Sequence, residues 1–222
     1  MKLYRIFVTL AMPFILILLF IRRRRGKEDA ERWRERLGYQ LPARPKGRLI
    51  WMHGASVGEC LSMQPLIRRL LEKNPHLHIM VTSGTVTSAN LMQKRLPERA
   101  FHVYVPVDLC GAVRRFVRHF KPDAVLWFES EFWPNVLDEI YRHKIPLVLL
   151  NGRISDRSFR RWQRFLCLIK PILGRFTFVF GQTEEDARRL RVLGAPDAVC
   201  VGNIKCAAPP APYNEEDLKE ML

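Results

Sequence analysis

From residue 48 onward the chain alternates between short, unbroken apolar runs and longer stretches whose apolar residues recur at helical spacing. The runs are RLIWMH (48–53), LHIMVT (77–82), FHVYV (101–105), AVLWF (124–128), PLVLL (146–150), TFVF (177–180) and AVCV (198–201). Runs this short and this apolar are strands buried on both faces, and the helical stretches between them are crossovers. The pattern predicts an α/β fold: a Rossmann-like open parallel sheet of six or seven strands covered by helices on both sides. Ligands in such sheets bind beyond the carboxyl ends of the strands. Small, polar and glycine residues collect there: HGASVGE (53–59), TSGT (82–85), PVDLCG (106–111), ESEFWPN (129–135), NGRIS (151–155), GQTEED (181–186) and GNIK (202–205). The opposite ends carry ordinary linkers such as RHFKPD and YRHKIP. That asymmetry marks one sheet edge as the working edge, against the plainer reading that helix starts simply favour Ser, Thr and Asp.

Ahead of the sheet lies a different pattern. Residues 6–21, IFVTLAMPFILILLFI, carry no charge, and Arg22, Arg23, Arg24 and Arg25 follow at once. No small-residue cleavage site precedes the arginines, so the segment is expected to stay attached as a membrane-anchor helix. Its sixteen residues give about 24 Å of helix, short of a hydrocarbon core of about 30 Å unless flanking residues snorkel. Spanning is expected over lying flat, with the basic cluster holding the body in the cytoplasm. The divisions expected are 1–25 as anchor and basic flank and 26–47 as a charged helix dissolving into a linker along the membrane surface. Residues 48–205 form the sheet domain, and the Pro-rich 206–222 is a linker towards a further domain.

Composition narrows the partners. Lys and Arg number 37 against 22 Asp and Glu, a formal charge of +15, so lipid head groups, nucleic acid or a phosphorylated substrate are all attracted. Five cysteines with no CxxC spacing read as reduced thiols. No GxGxxG, Walker or metal-ligand spacing is present, and His76 and His78 make only a weak pair. Residues 153–176 interleave arginines with Phe, Trp, Leu and Ile, which suits either single-stranded nucleic acid or an amphipathic helix beside a membrane.

The candidate chemistry sits in four blocks. Ser56-Val57-Gly58-Glu59 has capping-box spacing, and a glutamate there either caps its helix or accepts a proton from a substrate hydroxyl. His53 beside it is read as a core histidine. Glu129 and Glu131 follow an apolar strand directly, so that one faces a pocket while the other caps, or both cap. Arg153 offers a fork for phosphate or carboxylate, or pairs with Glu129 or Glu131. In the GNIK block, Gly202 permits close approach and Lys205 supplies a point charge.

These blocks, in this order, resemble the N-terminal half of the Kdo transferases, which add 3-deoxy-D-manno-octulosonic acid to the lipid A precursor of lipopolysaccharide. The resemblance runs from the apolar segment and RWRERLG through HGASVGE, PVDL, ESEFWPN, NGRIS, GQTEED and GNIK. The family typically shows HAVSVGE, ETELWPN, NARLS and GNLK, so Gly54 and Ala55 depart while Ser56 and Glu59 are kept. The resemblance implies the N-terminal, acceptor-binding domain of a GT-B glycosyltransferase, working without metal or cofactor on CMP-Kdo and the lipid A precursor (lipid IVA) at the cytoplasmic face of the inner membrane. It implies Glu59 as general base of an inverting transfer, with Glu129 and Glu131 supporting it. Ser56 and Gly58 would shape the acceptor wall, and Arg153, Asn203 and Lys205 would lie near phosphate or donor carboxylate. The domain that would bind CMP-Kdo is not within these 222 residues. A non-catalytic membrane-bound module for acidic lipid and a basic nucleic-acid-binding protein are the alternatives from other classes. The apolar segment opposes the second, and the paired carboxylates oppose both.

Overall fold

The computed structural model describes residues 2–195 and 197–204. Each apolar run is a strand: β1 Arg48–His53, β2 Leu77–Ser83, β3 Ala100–Tyr104, β4 Ala124–Phe128, β5 Leu147–Gly152, β6 Phe178–Gly181 and β7 Val199–Cys200. The strands form one sheet in the order β3-β2-β1-β4-β5-β6-β7, and every pairing is parallel. The crossover helices are α3 Val57–Lys73, α4 Val86–Arg95, α5 Cys110–Phe120, α6 Pro134–Arg142, α7 Asp156–Arg164, α8 Leu166–Leu173 and α9 Glu184–Val192. Strand order reverses at β1: the chain builds outward through β2 and β3, then returns to lay β4 on the other side of β1. In sheets of this kind the ligand site falls at that reversal, here between the loops after β1 and β4.

Alternation along β1 divides its side chains between two buried layers. Leu49 and Trp51 join Phe116, Phe120, Val125 and Trp127 on one face, whereas Met52 joins Met63, Ile67, Ile79 and Val81 on the other. Trp51 lies 5.1 Å from the Phe116 ring and 6.0 Å, edge on, from Trp127, which fixes the α5 face of the sheet beneath that reversal.

Part of the charged stretch expected as a helix dissolving into a linker docks on the sheet. Residues Arg32–Leu37 form a 3₁₀ helix laid against the open edge of β3. Its charges satisfy backbone groups that an edge strand leaves unpaired. Glu35 Oε2 accepts the Tyr104 N–H at 2.9 Å, Arg32 donates to the His102 carbonyl at 2.8 Å, and buried Arg36 donates to the Val105 and Gly84 carbonyls at 3.0 Å each. A charged sequence buried by the sheet edge protects that edge from pairing with another chain.

The single helix expected over residues 6–21 is also corrected. The segment forms α1 Lys2–Leu10 and α2 Met12–Arg24, bent by 54°. Pro13 in the first turn of α2 has no N–H to give, which suits a helix start and ends the continuity of one long helix. Among the described residues no single helix is long and apolar enough to cross a membrane, while the bent pair together meets the length and composition needed. Val8 is buried against Leu109 and Ala112. In the arginine-rich stretch 153–176, which becomes α7 and α8, Phe159 and Trp162 pack against the core. They are therefore not a free stacking platform for bases.

Candidate active site

β1 ends at His53, and Gly54 after it lies close beneath the first turns of α3. A Cβ on Gly54 would stand 2.2 Å from Met63 Cε and 3.1 Å from Glu59 Cβ. Ser56 is the N-cap of α3, its Oγ accepting the Glu59 N–H at 3.2 Å. The Glu59 carboxylate turns back, with Oε1 accepting from Ser56 Oγ at 2.7 Å and Oε2 from the Ala55 N–H at 2.8 Å. The predicted capping box therefore forms, although its return bond lands one residue earlier than the N-cap N–H. Glu59 is only 7% exposed. Burial raises its pKa above the ordinary carboxylate range, the two hydrogen bonds oppose that rise, and the charges of Glu129 and Glu131 add to it. Gly58, exposed in the first turn, has no atom nearer than 4.0 Å to where a Cβ would sit. Nothing in the packing demands glycine there.

Glu129 and Glu131 enter from across the switch point. Glu129 follows β4 and takes a left-handed backbone (φ 56°) while its N–H still bonds the Leu150 carbonyl at 3.0 Å. Such a backbone is strained for a glutamate and is kept only where surroundings enforce it. Exposed Glu131 is held by two tryptophans: its carbonyl accepts from Trp127 Nε1 at 2.6 Å and its carboxylate from Trp133 Nε1 at 3.2 Å. Neither glutamate caps the helix that follows. α6 starts after Trp133, with Pro134 in its first turn, and its open N–H groups at Asn135 and Val136 are taken by the buried carboxylate of Asp108 at 3.2 and 3.0 Å. The alternative in which both glutamates are mere caps is thereby removed.

Asn151, at the end of β5, is also left-handed (φ 56°) and is 1% exposed, and its Oδ1 accepts the Ile204 N–H at 3.2 Å. It thus ties the loop carrying Gly202 and Asn203 to the same edge. The Arg153 backbone is clasped to Ser130 through its own N–H at 3.0 Å and its carbonyl. The Arg153 side chain is exposed, and among the described residues it forms no salt bridge with Glu129 or Glu131. Asn203 is half-buried, and Lys205 lies outside the described residues. His53 is fully buried against Trp127, ring centroids 4.1 Å apart, with Nδ1 2.9 Å from Thr82 Oγ1. Burial, then the charge of Arg36, lowers its pKa to about 3, so it is neutral and structural. Asp108 and Asn151 were not among the residues singled out from the sequence. The only local signal was their place in the edge blocks PVDLCG and NGRIS.

A Rossmann-like sheet with carboxylates at its switch point has the architecture of a domain that binds its ligand beyond the carboxyl ends of the strands. Over residues 31–208 the sequence matches the family model for 3-deoxy-D-manno-octulosonic-acid transferase (kdotransferase), and the chain belongs to that family. It is 34% identical over 218 residues to the 3-deoxy-D-manno-octulosonic acid transferase of Rickettsia bellii, covering 98% of this chain and 52% of that protein. To the enzyme of the same name from Rickettsia felis it is 36% identical over 173 residues, covering 78% and 37%. The chain thus spans about half the length of such relatives, or less. Its fold is similar to that of UDP-GlcNAc 2-epimerase from Neisseria meningitidis bound to UDP-GlcNAc, with a TM-score of 0.54 at 15% identity over 72% of this chain and 48% of that one.

Proposed function

We propose that this chain is the acceptor-binding half of a Kdo transferase that moves Kdo from CMP-Kdo to the lipid A precursor lipid IVA at the cytoplasmic face of the inner membrane, the donor being held by a second domain. The observation that carries the reading is that Glu59, after β1, lies near enough to Glu129 and Glu131, after β4, for their charges to act on it, at the one place where strand order reverses. In the reaction, Glu59 accepts the proton of an acceptor hydroxyl as the oxygen bonds to the anomeric carbon of Kdo. The carbon–oxygen bond to the phosphate breaks on the opposite face, and its electron pair leaves with CMP, so the anomeric configuration inverts. The two donors on Glu59 fix the carboxylate in place, and each oxygen keeps a lone pair for the incoming proton. Its raised pKa makes it a stronger base than an exposed glutamate. Glu129 and Glu131 sustain that rise by repulsion, and Arg153, Asn203 and Lys205 are assigned to phosphate or to the donor carboxylate.

The test is Glu59→Gln in the longer protein that includes the donor domain, assayed with CMP-Kdo and lipid IVA. Gln keeps a hydrogen-bonding side chain at the capping-box position, so the fold should survive while the rate falls by roughly 10²- to 10⁴-fold. Near-normal transfer by a folded variant would place the base elsewhere, with Glu129 and Glu131 next to be changed.

A further inference from the structure

The two faces of the sheet are not covered alike. On one, α5, α6, α8 and α9 put Phe116, Val136, Ile169 and Leu190 into a single layer with Val125 and Leu149. On the other, α3 and α4 pack Met63, Ile67 and Met92 against Met52, Ile79 and Val81, all on β1 and β2. Along that second face Met52, Leu126, Val148 and Phe178 are register partners on β1, β4, β5 and β6. Met52 is buried, Leu126 and Val148 are half-buried, and Phe178 is 59% exposed. Phe180 and its partner Val199 are likewise half-buried and exposed. Cover therefore thins with distance from α3, although an all-parallel sheet ordinarily has both faces covered. We propose that residues 214–222, which lie outside the described residues, form an amphipathic helix that packs on this open half of the face, over β4, β5 and β6. This packing is independent of which reaction the site performs.

The segment 213–222, YNEEDLKEML, has the sequence of such a helix. Asn214 suits an N-cap, and Glu215, Glu216 and Asp217 suit the positive end of a helix dipole. Tyr213 and Leu218 stand at the two positions of a hydrophobic staple. Leu218, Met221 and Leu222 then share one stripe at i, i+3 and i+4, with Glu215 and Asp217 on its two flanks.

The path of the chain and the charges of the face fit this occupant. After β7 the Ile204 N–H is held by Asn151 Oδ1 at 3.2 Å, and the Ile204 side chain packs into the same layer as Phe180, so the chain leaves β7 on the open face. The nine residues 205–213 reach about 30 Å when extended, whereas β7 and β5 stand about 10 Å apart. A helix over 214–222 is about 14 Å long, within the roughly 20 Å of the six-residue β5. At the amino edge of the face a hollow of about 620 Å³ lies beside α3, lined by Ile50 and Leu70 together with Arg48 and Lys73. Asp123, also in its lining, is already paired with Arg44 and bonded to the Leu49 N–H. A helix laid antiparallel to the strands brings Glu220 and its carbonyl end towards Arg48 and Lys73, the favourable sense for its dipole.

The experiment uses the full chain, purified in detergent, with Phe178→benzoylphenylalanine, whose ketone bonds to C–H groups in contact with it on irradiation. Mass spectrometry of the digest should find it joined to residues 213–222 of the same chain. Leu218→Asp puts a carboxylate on the apolar stripe and should abolish that crosslink, whereas Glu216→Gln, on the far side of the helix, should keep it. Crosslinks between two copies, to detergent or to other parts of the chain, no crosslink at all, or one that persists undiminished in Leu218→Asp would overturn the proposal. A second measurement needs no variant: amide hydrogens of residues 218–222 should exchange more slowly in the chain than in a free peptide of sequence 213–222. Equal rates would overturn it as well.

Discussion

Ser56 and Glu59 bond each other twice: Ser56 Oγ accepts the Glu59 N–H at 3.2 Å and donates its own hydrogen to Glu59 Oε1 at 2.7 Å. One hydroxyl therefore both starts α3 and steadies the carboxylate proposed as the base. Ser56→Ala is expected to lower stability by about 1 kcal/mol, the usual worth of an N-cap. It also removes a hydrogen bond that favours the charged carboxylate, so the Glu59 pKa should climb further. Activity of the complete enzyme requires ionised Glu59, so the acid limb of its pH–rate profile should move to higher pH. Thermal unfolding together with a pH–rate series checks both effects.

Gly54 and Gly58 should separate packing from ligand access. Gly54→Ala makes the flexible end of Met63 move aside and presses on Glu59 Cβ, and is expected to cost about 1 kcal/mol. Gly58→Ala meets open space in a helical turn and should leave stability unchanged or raise it by about 0.5–1 kcal/mol. If bare backbone at Gly58 gives the acceptor room, the KM for the acceptor should nevertheless rise. Denaturant melts and steady-state kinetics on the two variants decide it.

Asn151 carries a left-handed backbone and the only side-chain bond seen to the Ile204 N–H among the described residues. Asn151→Ala loses the acceptor and worsens the strain, with an expected loss of about 1–3 kcal/mol. Asn151→Gly relieves the strain but still frees the loop. Faster hydrogen exchange at Ile204 in both variants, with the larger stability loss in the alanine one, is the expected result.

Asp108 predicts a pH dependence of stability. Burial lifts its pKa to about 6, against hydrogen bonds from Tyr4, Asn135 and Val136 that favour the charged form. A carboxyl whose folded pKa is raised stabilises the fold below its ordinary value near 4, and that contribution is lost as pH rises through about 6. Over this window the folded protein should lose about 3 kcal/mol relative to Asp108→Asn, which cannot titrate. Urea melts of the two proteins at pH 4, 5, 6 and 7 measure the difference.

The seven strands were legible because a strand buried on both faces leaves an uninterrupted apolar run, a property of adjacent residues that needs no tertiary information. The Ser56–Glu59 box was legible for the same reason, since an N-cap and the third helical residue are neighbours in sequence and in space. The working edge could also be read, because parallel strands put all their carboxyl ends on one side. The bend at Ala11 was less visible: a proline within an apolar run marks either a kink or a new helix, and here Pro13 stands in the first turn of a new one.

By itself, then, the sequence determined the strands and crossover helices of the sheet, the edge that holds the candidate site and the glutamate at a helix start, all legible from residues close together in the chain. Tertiary structure decided the rest. Strand order placed β4 beside β1 and so brought Glu129 and Glu131 to Glu59. Asp108, from a different loop, took the N-cap work of α6 and released both glutamates from it. Glu35 and Arg36, expected in a charged helix along a membrane surface, are buried on the β3 edge with half-buried Arg32 beside them, where unpaired backbone groups needed partners. Each of these outcomes depends on which distant segments pack together, and hydrophobic periodicity records only that a face is buried, never which partner buries it.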